Sequence, residues 1–313
     1  VTVPGSGGSA GTDGTDGTAG FGRVLTAMVT PFTRDGGLDL ATAATLAAAL
    51  VDDGHDGLVV NGTTGESPTT TDEEKAALVR AVVEAVDGRA AVVAGVGTND
   101  TAHTLTLARA AQAAGATGLL VVTPYYSKPP QAGLLAHFTT VADATELPVM
   151  LYDIPGRSGV PIETETLVRL ADHPRIRAVK DAKGDLAATA WVLARTDLAY
   201  YSGDDVLNLA HLACGAVGVV SVVGHVAGAH YRAMVEAVDA GDLPTARGIN
   251  ARLLPAVRGI MTRTQGAIMA KAALELQGRL PNRHLRPPML PASEAEVAAL
   301  ADDLREAGLL GSA

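Results

Sequence analysis

The chain holds a single cysteine, Cys214, in 313 residues. An intrachain disulfide is thereby excluded, as is a zinc site built on several thiolates, and a lone thiol fits the reducing cytoplasm, the expected location. Lysine and arginine together number 24 against 34 acidic residues, for a formal charge of −10. With no clustered basic footprint to meet a phosphate backbone or an anionic bilayer, neither nucleic acid nor a membrane surface is an expected partner. The opening residues lack the basic start and apolar stretch of a secretory signal, so export is not expected. Of the eight histidines, His225 and His230 stand five apart with no H-E-x-x-H frame, and no metal site is expected. Residues 206–231 carry no Asp, Glu, Lys or Arg, a length that could span a bilayer. Asn208, His211, His225, His230 and glycines 215, 218, 224 and 228 instead cut the segment into helix, strand and helix.

What is present is an alternation. Residues 1–20, nearly all Gly, Ser, Thr, Ala and Asp, bury too little apolar surface to offset chain entropy and read as a disordered tail. Beyond them, short runs of Val, Leu, Ile and Ala alternate with amphipathic stretches, the pattern of repeated βαβ units. Strands are expected at 23–30, 57–61, 91–95, 118–123, 148–152, 176–180, 198–203 and 216–221. Most are apolar throughout, as parallel strands covered on both faces should be. Crossover helices are expected at 40–52, 72–86, 101–114, 131–145, 163–171, 186–195 and 205–214, the second behind a Thr71-x-x-Glu74 capping box. Eight units in succession favour a closed (β/α)8 TIM barrel at 21–241 over an open sheet. A dinucleotide fold would need G-x-G-x-x-G after the first strand, where Thr30-Pro31-Phe32-Thr33 stands instead. A last barrel helix at 226–240 is followed by helices at 243–263, 267–277 and 294–307, a C-terminal helical extension over 242–313.

In such a barrel the chemistry gathers at the carboxyl ends of the strands. Those ends read Gly62-Thr63-Thr64-Gly65-Glu66-Ser67, Thr123-Pro124-Tyr125-Tyr126, Tyr152-Asp153-Ile154-Pro155-Gly156-Arg157, Val179-Lys180-Asp181 and Ser202-Gly203-Asp204-Asp205. The sequence has only five lysines, and elimination leaves Lys180 as the one expected at the barrel mouth. Burial there would favour the neutral amine that forms Schiff bases with carbonyl compounds. The competing reading is a lysine that snorkels out to Asp181 or Asp204. The Gly62–Gly65 turn could present backbone N–H groups to a small carboxylate, or be an ordinary loop. Tyr125, Tyr126 and Tyr152 could pass protons with Thr63, or pack at the rim. Arg157 could grip a carboxylate or lie on the surface. Asp204 and Asp205 read as caps of the following helix, and Trp191, beside Val192 and Leu193, as packing.

Together these strings resemble the dihydrodipicolinate synthase family of pyruvate-dependent class I aldolases and lyases, which also includes N-acetylneuraminate lyase. The resemblance covers nearly the whole chain from about residue 22. It implies an enzyme of lysine and diaminopimelate biosynthesis that needs no cofactor beyond the covalent Schiff base of pyruvate on Lys180. The derived enamine would attack L-aspartate 4-semialdehyde, and the product would cyclise to 4-hydroxy-tetrahydrodipicolinate. By the same resemblance Tyr152, Thr63 and Tyr126 form a proton relay, Tyr126 coming from a neighbouring subunit. A homo-oligomer follows, with a dimer as its smallest active unit and a tetramer, a dimer of dimers, as the expected assembly. The pyruvate carboxylate would rest on the Thr63 and Thr64 amides and the semialdehyde carboxylate near Arg157, with Gly203 and Val220 lining the pocket by backbone.

The alternatives are a related aldolase acting on a 2-keto-3-deoxy sugar acid or N-acetylneuraminate, a metal-dependent aldolase, and a non-catalytic barrel that binds a keto acid. Arg157 favours an acceptor with a second carboxylate over a polyhydroxylated one. Two departures from the family pattern stand out. Asp72, Lys75 and His103 occupy positions where lysine-inhibited members carry histidines and an acid, although Asn99 and Tyr125 are kept, so lysine feedback is expected to be weak or absent. The usual N-P-x-P-x-K segment is replaced by Thr264-Gln265-Gly266-Ala267-Ile268-Met269-Ala270-Lys271, which leaves the packing of the C-terminal helices open.

Overall fold

The computed structural model describes residues 17–311. Eight strands, β1 (Val24–Ala27), β2 (Gly57–Val60), β3 (Ala91–Gly95), β4 (Gly118–Val122), β5 (Val149–Asp153), β6 (Ile176–Asp181), β7 (Ala199–Ser202) and β8 (Gly218–Ser221), close in sequence order into a parallel barrel. Around it run α1 (Leu40–Asp52), α2 (Asp72–Val86), α3 (Thr101–Ala113), α4 (Gln131–Asp143), the single turn α5 (Pro155–Ser158), α6 (Thr164–Leu170), α7 (Leu186–Leu193), α8 (Asn208–Ala213) and α9 (Gly224–Asp239). The extension follows as α10 (Leu243–Val257), α11 (Gly266–Leu276) and α12 (Glu294–Glu306), with a π-helical segment at Arg258–Thr262. Asp303 of α12 clasps Arg258, which opens that segment, and Arg263, which follows it.

Strand alternation divides the apolar residues into two cores. Val149, Leu151, Val179 and Tyr200 face the helices, whereas Met150, Tyr152, Ala178, Tyr201 and Val220 fill the barrel interior. Because side chains alternate along a strand, Lys180, one residue past Val179, points inward, and a register slip of one residue would move it into the helix layer. Phe21 fills the interior from the amino-terminal side, edge-on to Tyr201 with ring centroids 6.4 Å apart. Glycine at 118 makes that possible, since a Cβ there would lie 2.5 Å from the Phe21 ring.

Residues 1–16 of the expected disordered tail lie outside the described residues. The remainder of that stretch is not free of the core: Thr18 is buried, and its carbonyl accepts from the Tyr201 hydroxyl at 2.9 Å. The Thr71–Glu74 capping box forms as expected. The uncharged stretch 206–231 folds as part of a 3-10 turn, α8, β8 and the first half of α9, and among the described residues no helix is long and apolar enough to cross a membrane. Two side chains depart from expectation. Trp191 is half exposed and covered by the Arg195 guanidinium, 3.3 Å from the ring centroid, because it lies on the outward face of α7. Asp204 does cap, accepting from the Val206 amide at 3.2 Å, but Asp205 is buried and turned toward β8.

Candidate active site

Lys180 and Tyr152 are cross-strand partners in the β5–β6 register. Both are nearly enclosed, and the Lys180 amine lies 4.4 Å from the centroid of the Tyr152 ring. Burial lowers the amine from 10.5 to about 8, with Arg157 pushing the same way and the Asp205 carboxylate opposing. Burial likewise raises the Tyr152 phenol to about 12, so it stands protonated at neutral pH. The acids to which a snorkelling lysine would turn are otherwise engaged. Asp181 faces the helix layer, accepting from the amides of Lys183 and Gly184 and the hydroxyl of Thr189. Asp204 caps its own turn.

Gly203 lies against the lysine stem: a Cβ at this position would sit 2.8 Å from Lys180 Cγ and 3.0 Å from the Asp181 carbonyl. Two residues further along the chain, Asp205 accepts from the amides of Val222 and Val223 at 2.8 and 3.0 Å, from Asn208 Nδ2 at 2.9 Å and from the Ser221 hydroxyl. It thereby fixes the loop after β8 while keeping a negative charge near the amine. Sequence reasoning missed this role because an Asp before a helix reads first as a cap.

A cavity of about 420 Å³ opens beside the pair, lined by Thr63, Tyr125, Tyr152, Ile154 and Arg157 among others. Lys180 itself does not line the cavity but reaches it through Tyr152, over whose ring its amine lies. The turn after β2 carries left-handed residues at both Asn61 and Glu66, each with φ near +57°. It is fastened by the Thr30 hydroxyl on the Gly65 carbonyl at 2.6 Å and by the Glu66 amide on the Thr63 carbonyl at 3.1 Å. Among the described residues the amides of Thr63 and Thr64 donate to no protein group, which leaves them available to an anion. Thr64 is buried in the turn, and Val220 belongs to the interior cluster with Tyr152.

Tyr126 is not brought to the site. It is 89% exposed with φ +72° and projects from the loop after β4. Lys180 is also not the only lysine near the mouth: Lys75 lines the outer end of the cavity together with Asp72, Asn99 and His103. Its amine donates to the Thr70 carbonyl at 2.5 Å, and His103 pairs with Asp72 at 2.9 Å. Lys75 stands in the acidic first turn of α2, where a lysine ordinarily reads as solvated surface. Among the described residues no group of three His, Cys, Asp or Glu side chains converges as metal ligands would.

The dihydrodipicolinate synthetase family model matches residues 20–307. The 4-hydroxy-tetrahydrodipicolinate synthase of Kineococcus radiotolerans is 73% identical over 289 residues, covering 92% of this chain and 94% of that one. The enzyme of the same name from Acidothermus cellulolyticus is 66% identical, with 93% and 94% covered. Among solved structures, the dihydrodipicolinate synthase of Cyanidioschyzon merolae with lysine bound superposes with a TM-score of 0.90 at 41% identity, over 93% of this chain and 99% of that one.

Proposed function

The chain belongs to the dihydrodipicolinate synthetase family, and on that premise we propose that it joins pyruvate to L-aspartate 4-semialdehyde through a Schiff base on Lys180, giving 4-hydroxy-tetrahydrodipicolinate. One observation carries the reading: an enclosed amine lowered to about 8 stands beside a protonated phenol at the carboxyl end of the barrel. The neutral amine attacks the keto carbon of pyruvate, and a water leaves as the imine forms. Loss of a methyl proton gives the enamine, whose terminal carbon bonds to the aldehyde carbon while the aldehyde oxygen takes up a proton. The amino group of the former semialdehyde then attacks the imine carbon, closes the ring and releases Lys180. One water departs overall, and no electrons are exchanged with an outside carrier. The lysine serves where other enzymes would need a cofactor.

Tyr152 is the proton carrier nearest the amine, with Thr63 on the same cavity wall. The free amides of Thr63 and Thr64 take the pyruvate carboxylate, and Arg157, exposed at the rim, takes that of the semialdehyde. Gly203 leaves room beside Lys180, and Val220 backs the interior. The exposed, left-handed Tyr126 completes the relay from a second copy of the chain, so the active unit is at least a dimer, and a tetramer is the assembly we assign. The free thiol of Cys214 suits the cytoplasm.

The test is pyruvate consumption by chelator-treated protein with the semialdehyde, run beside sugar aldehydes and a Lys180→Ala control. Consumption with the semialdehyde alone, lost in the control, is expected. Preference for a sugar aldehyde would overturn the role of Arg157, and activity retained by Lys180→Ala would overturn the Schiff base.

A further inference from the structure

Beneath the turn after β2 lies a charge pair that takes no part in the scheme above. Glu66 and Lys271 are both 0% exposed, and their carboxylate oxygen and amine are 2.5 Å apart. The second Glu66 oxygen accepts from the backbone amide of Arg286 at 3.0 Å, while the Lys271 amine also donates to the His284 carbonyl at 2.7 Å. The amine sits 4.4 Å from the centroid of the Phe32 ring, in the loop after β1. Three elements distant in sequence thus meet under one turn: the end of β2, the loop after β1, and the C-terminal extension.

The location of the pair gives it a consequence. Glu66 holds the left-handed conformation, which a non-glycine residue adopts only when its surroundings enforce it, and its amide closes the turn on Thr63. Its carboxylate lies two residues from Thr64. An unneutralised negative charge buried there would repel any carboxylate resting on the Thr63 and Thr64 amides. We infer that Glu66 and Lys271 are positioning residues for the substrate carboxylate, the ion pair holding the Thr63–Thr64 turn in its receptive shape and cancelling the charge beneath it. The inference rests on the proposed function in that it takes pyruvate as the occupant. It also gives the helical extension a part in substrate binding, since Lys271 is delivered by α11.

Other charges face the pair. The Arg286 guanidinium is held by Glu74 at 2.6 Å, and His284 contributes its carbonyl and has Asp35 nearby. All of these remain when Lys271 alone is changed, so their titration cancels between variants.

The experiment measures the pyruvate concentration that half-saturates borohydride trapping on Lys180, read by mass spectrometry from pH 5.5 to pH 7.5, where Lys271 keeps most of its charge in the wild type. It compares the wild type with Lys271→Met, Lys271→Gln and the double variant Glu66→Gln/Lys271→Met. Removing the lysine leaves a buried carboxylate without its counter-charge, and whatever share of it is ionised faces the substrate carboxylate uncancelled. The ratio of the single variants to wild type should therefore climb with pH, by about tenfold across the range for a group losing one strong pairing. The neutral double variant should stay within about threefold of wild type at every pH, since Gln can still accept from Arg286. A purely structural pair would lower the melting temperature without a pH-dependent ratio. A flat ratio in a folded single variant, or a double variant as impaired as the single ones, would overturn the inference. Should Lys271→Met not fold, Lys271→Gln, which keeps a polar group at the site, carries the same comparison. If the wild type itself traps no pyruvate, the proposed function falls and the inference with it; a trapping wild type with flat ratios removes the inference alone.

Discussion

Replacing Lys180 by methionine should make the protein more stable at neutral pH while abolishing its chemistry. In the folded state the amine titrates near 8 rather than 10.5, burial being the main cause. Between those values the unfolded chain holds a proton that the folded chain has released, so stability rises with pH through the window. Below about pH 8 both states are charged and the full penalty of the buried ammonium applies. At about 1.4 kcal/mol per pH unit, that penalty is about 3 kcal/mol, a large share of the 5–15 kcal/mol typical of a domain, as an order-of-magnitude range. Methionine fills much the same volume and carries no charge. Urea unfolding of both proteins at one fixed concentration, at intervals from pH 7 to pH 10.5, gives the comparison. The variant should be more stable by about 3 kcal/mol at pH 7, with the difference closing toward pH 10.5. Lys271, also lowered to about 8, contributes equally to both curves. A variant less stable at pH 7, or a difference independent of pH, would refute the view of Lys180 as an amine whose charged form is penalised by burial.

Three further outcomes are expected. Gly203→Ala should lower both kcat and the melting temperature, because the new Cβ meets the buried Lys180 stem at 2.8 Å and the Asp181 carbonyl at 3.0 Å; full activity would show that the lysine has room to give. Tyr152→Phe should lower kcat by about a hundredfold or more, as loss of a proton carrier does, while borohydride still traps pyruvate on Lys180; an unchanged kcat would remove Tyr152 from the relay. Lysine should inhibit weakly or not at all, because the outer cavity presents the Lys75 amine and a His103–Asp72 pair to an incoming ammonium group. Half-inhibition at submillimolar lysine would contradict this.

Much of the barrel was legible because most strands are apolar runs ended by a turn residue, and periodicity reads such runs directly. Helix α2 was legible to the residue, since its capping box states its own start. The one-turn helix α5 was not, because Pro155-Gly156 reads as a turn. Lys180 stood out as a cation inside a strand, and Tyr152 followed from its neighbouring strand end. Lys271 carried a comparable signal in an unfamiliar place. Helix α11 is apolar nearly all round, with Ala267, Met269, Ala270, Ala272, Ala273 and Leu274 buried, and one lysine in such a helix needs a buried acid. Which acid was beyond reach, because Glu66 lies 205 residues away and only the closed fold brings them together. Trp191 was misjudged for a related reason: its apolar neighbours Val192 and Leu193 are adjacent in sequence, not on the same face of the helix.

The Phe21 plug makes the barrel a vessel open at one end. With Phe21, Tyr201 and their neighbours filling the amino-terminal side, whatever reaches Lys180 enters past the rim where Arg157 stands and leaves by the same route. Two substrates bound in it would be stacked in depth rather than placed side by side, and the order of events would be set by access. A keto acid must be seated before an acceptor covers it, and an acceptor arriving early blocks the way in. Such a vessel should show an obligatory sequence of binding, with pyruvate first, and should stall when the second substrate is in excess.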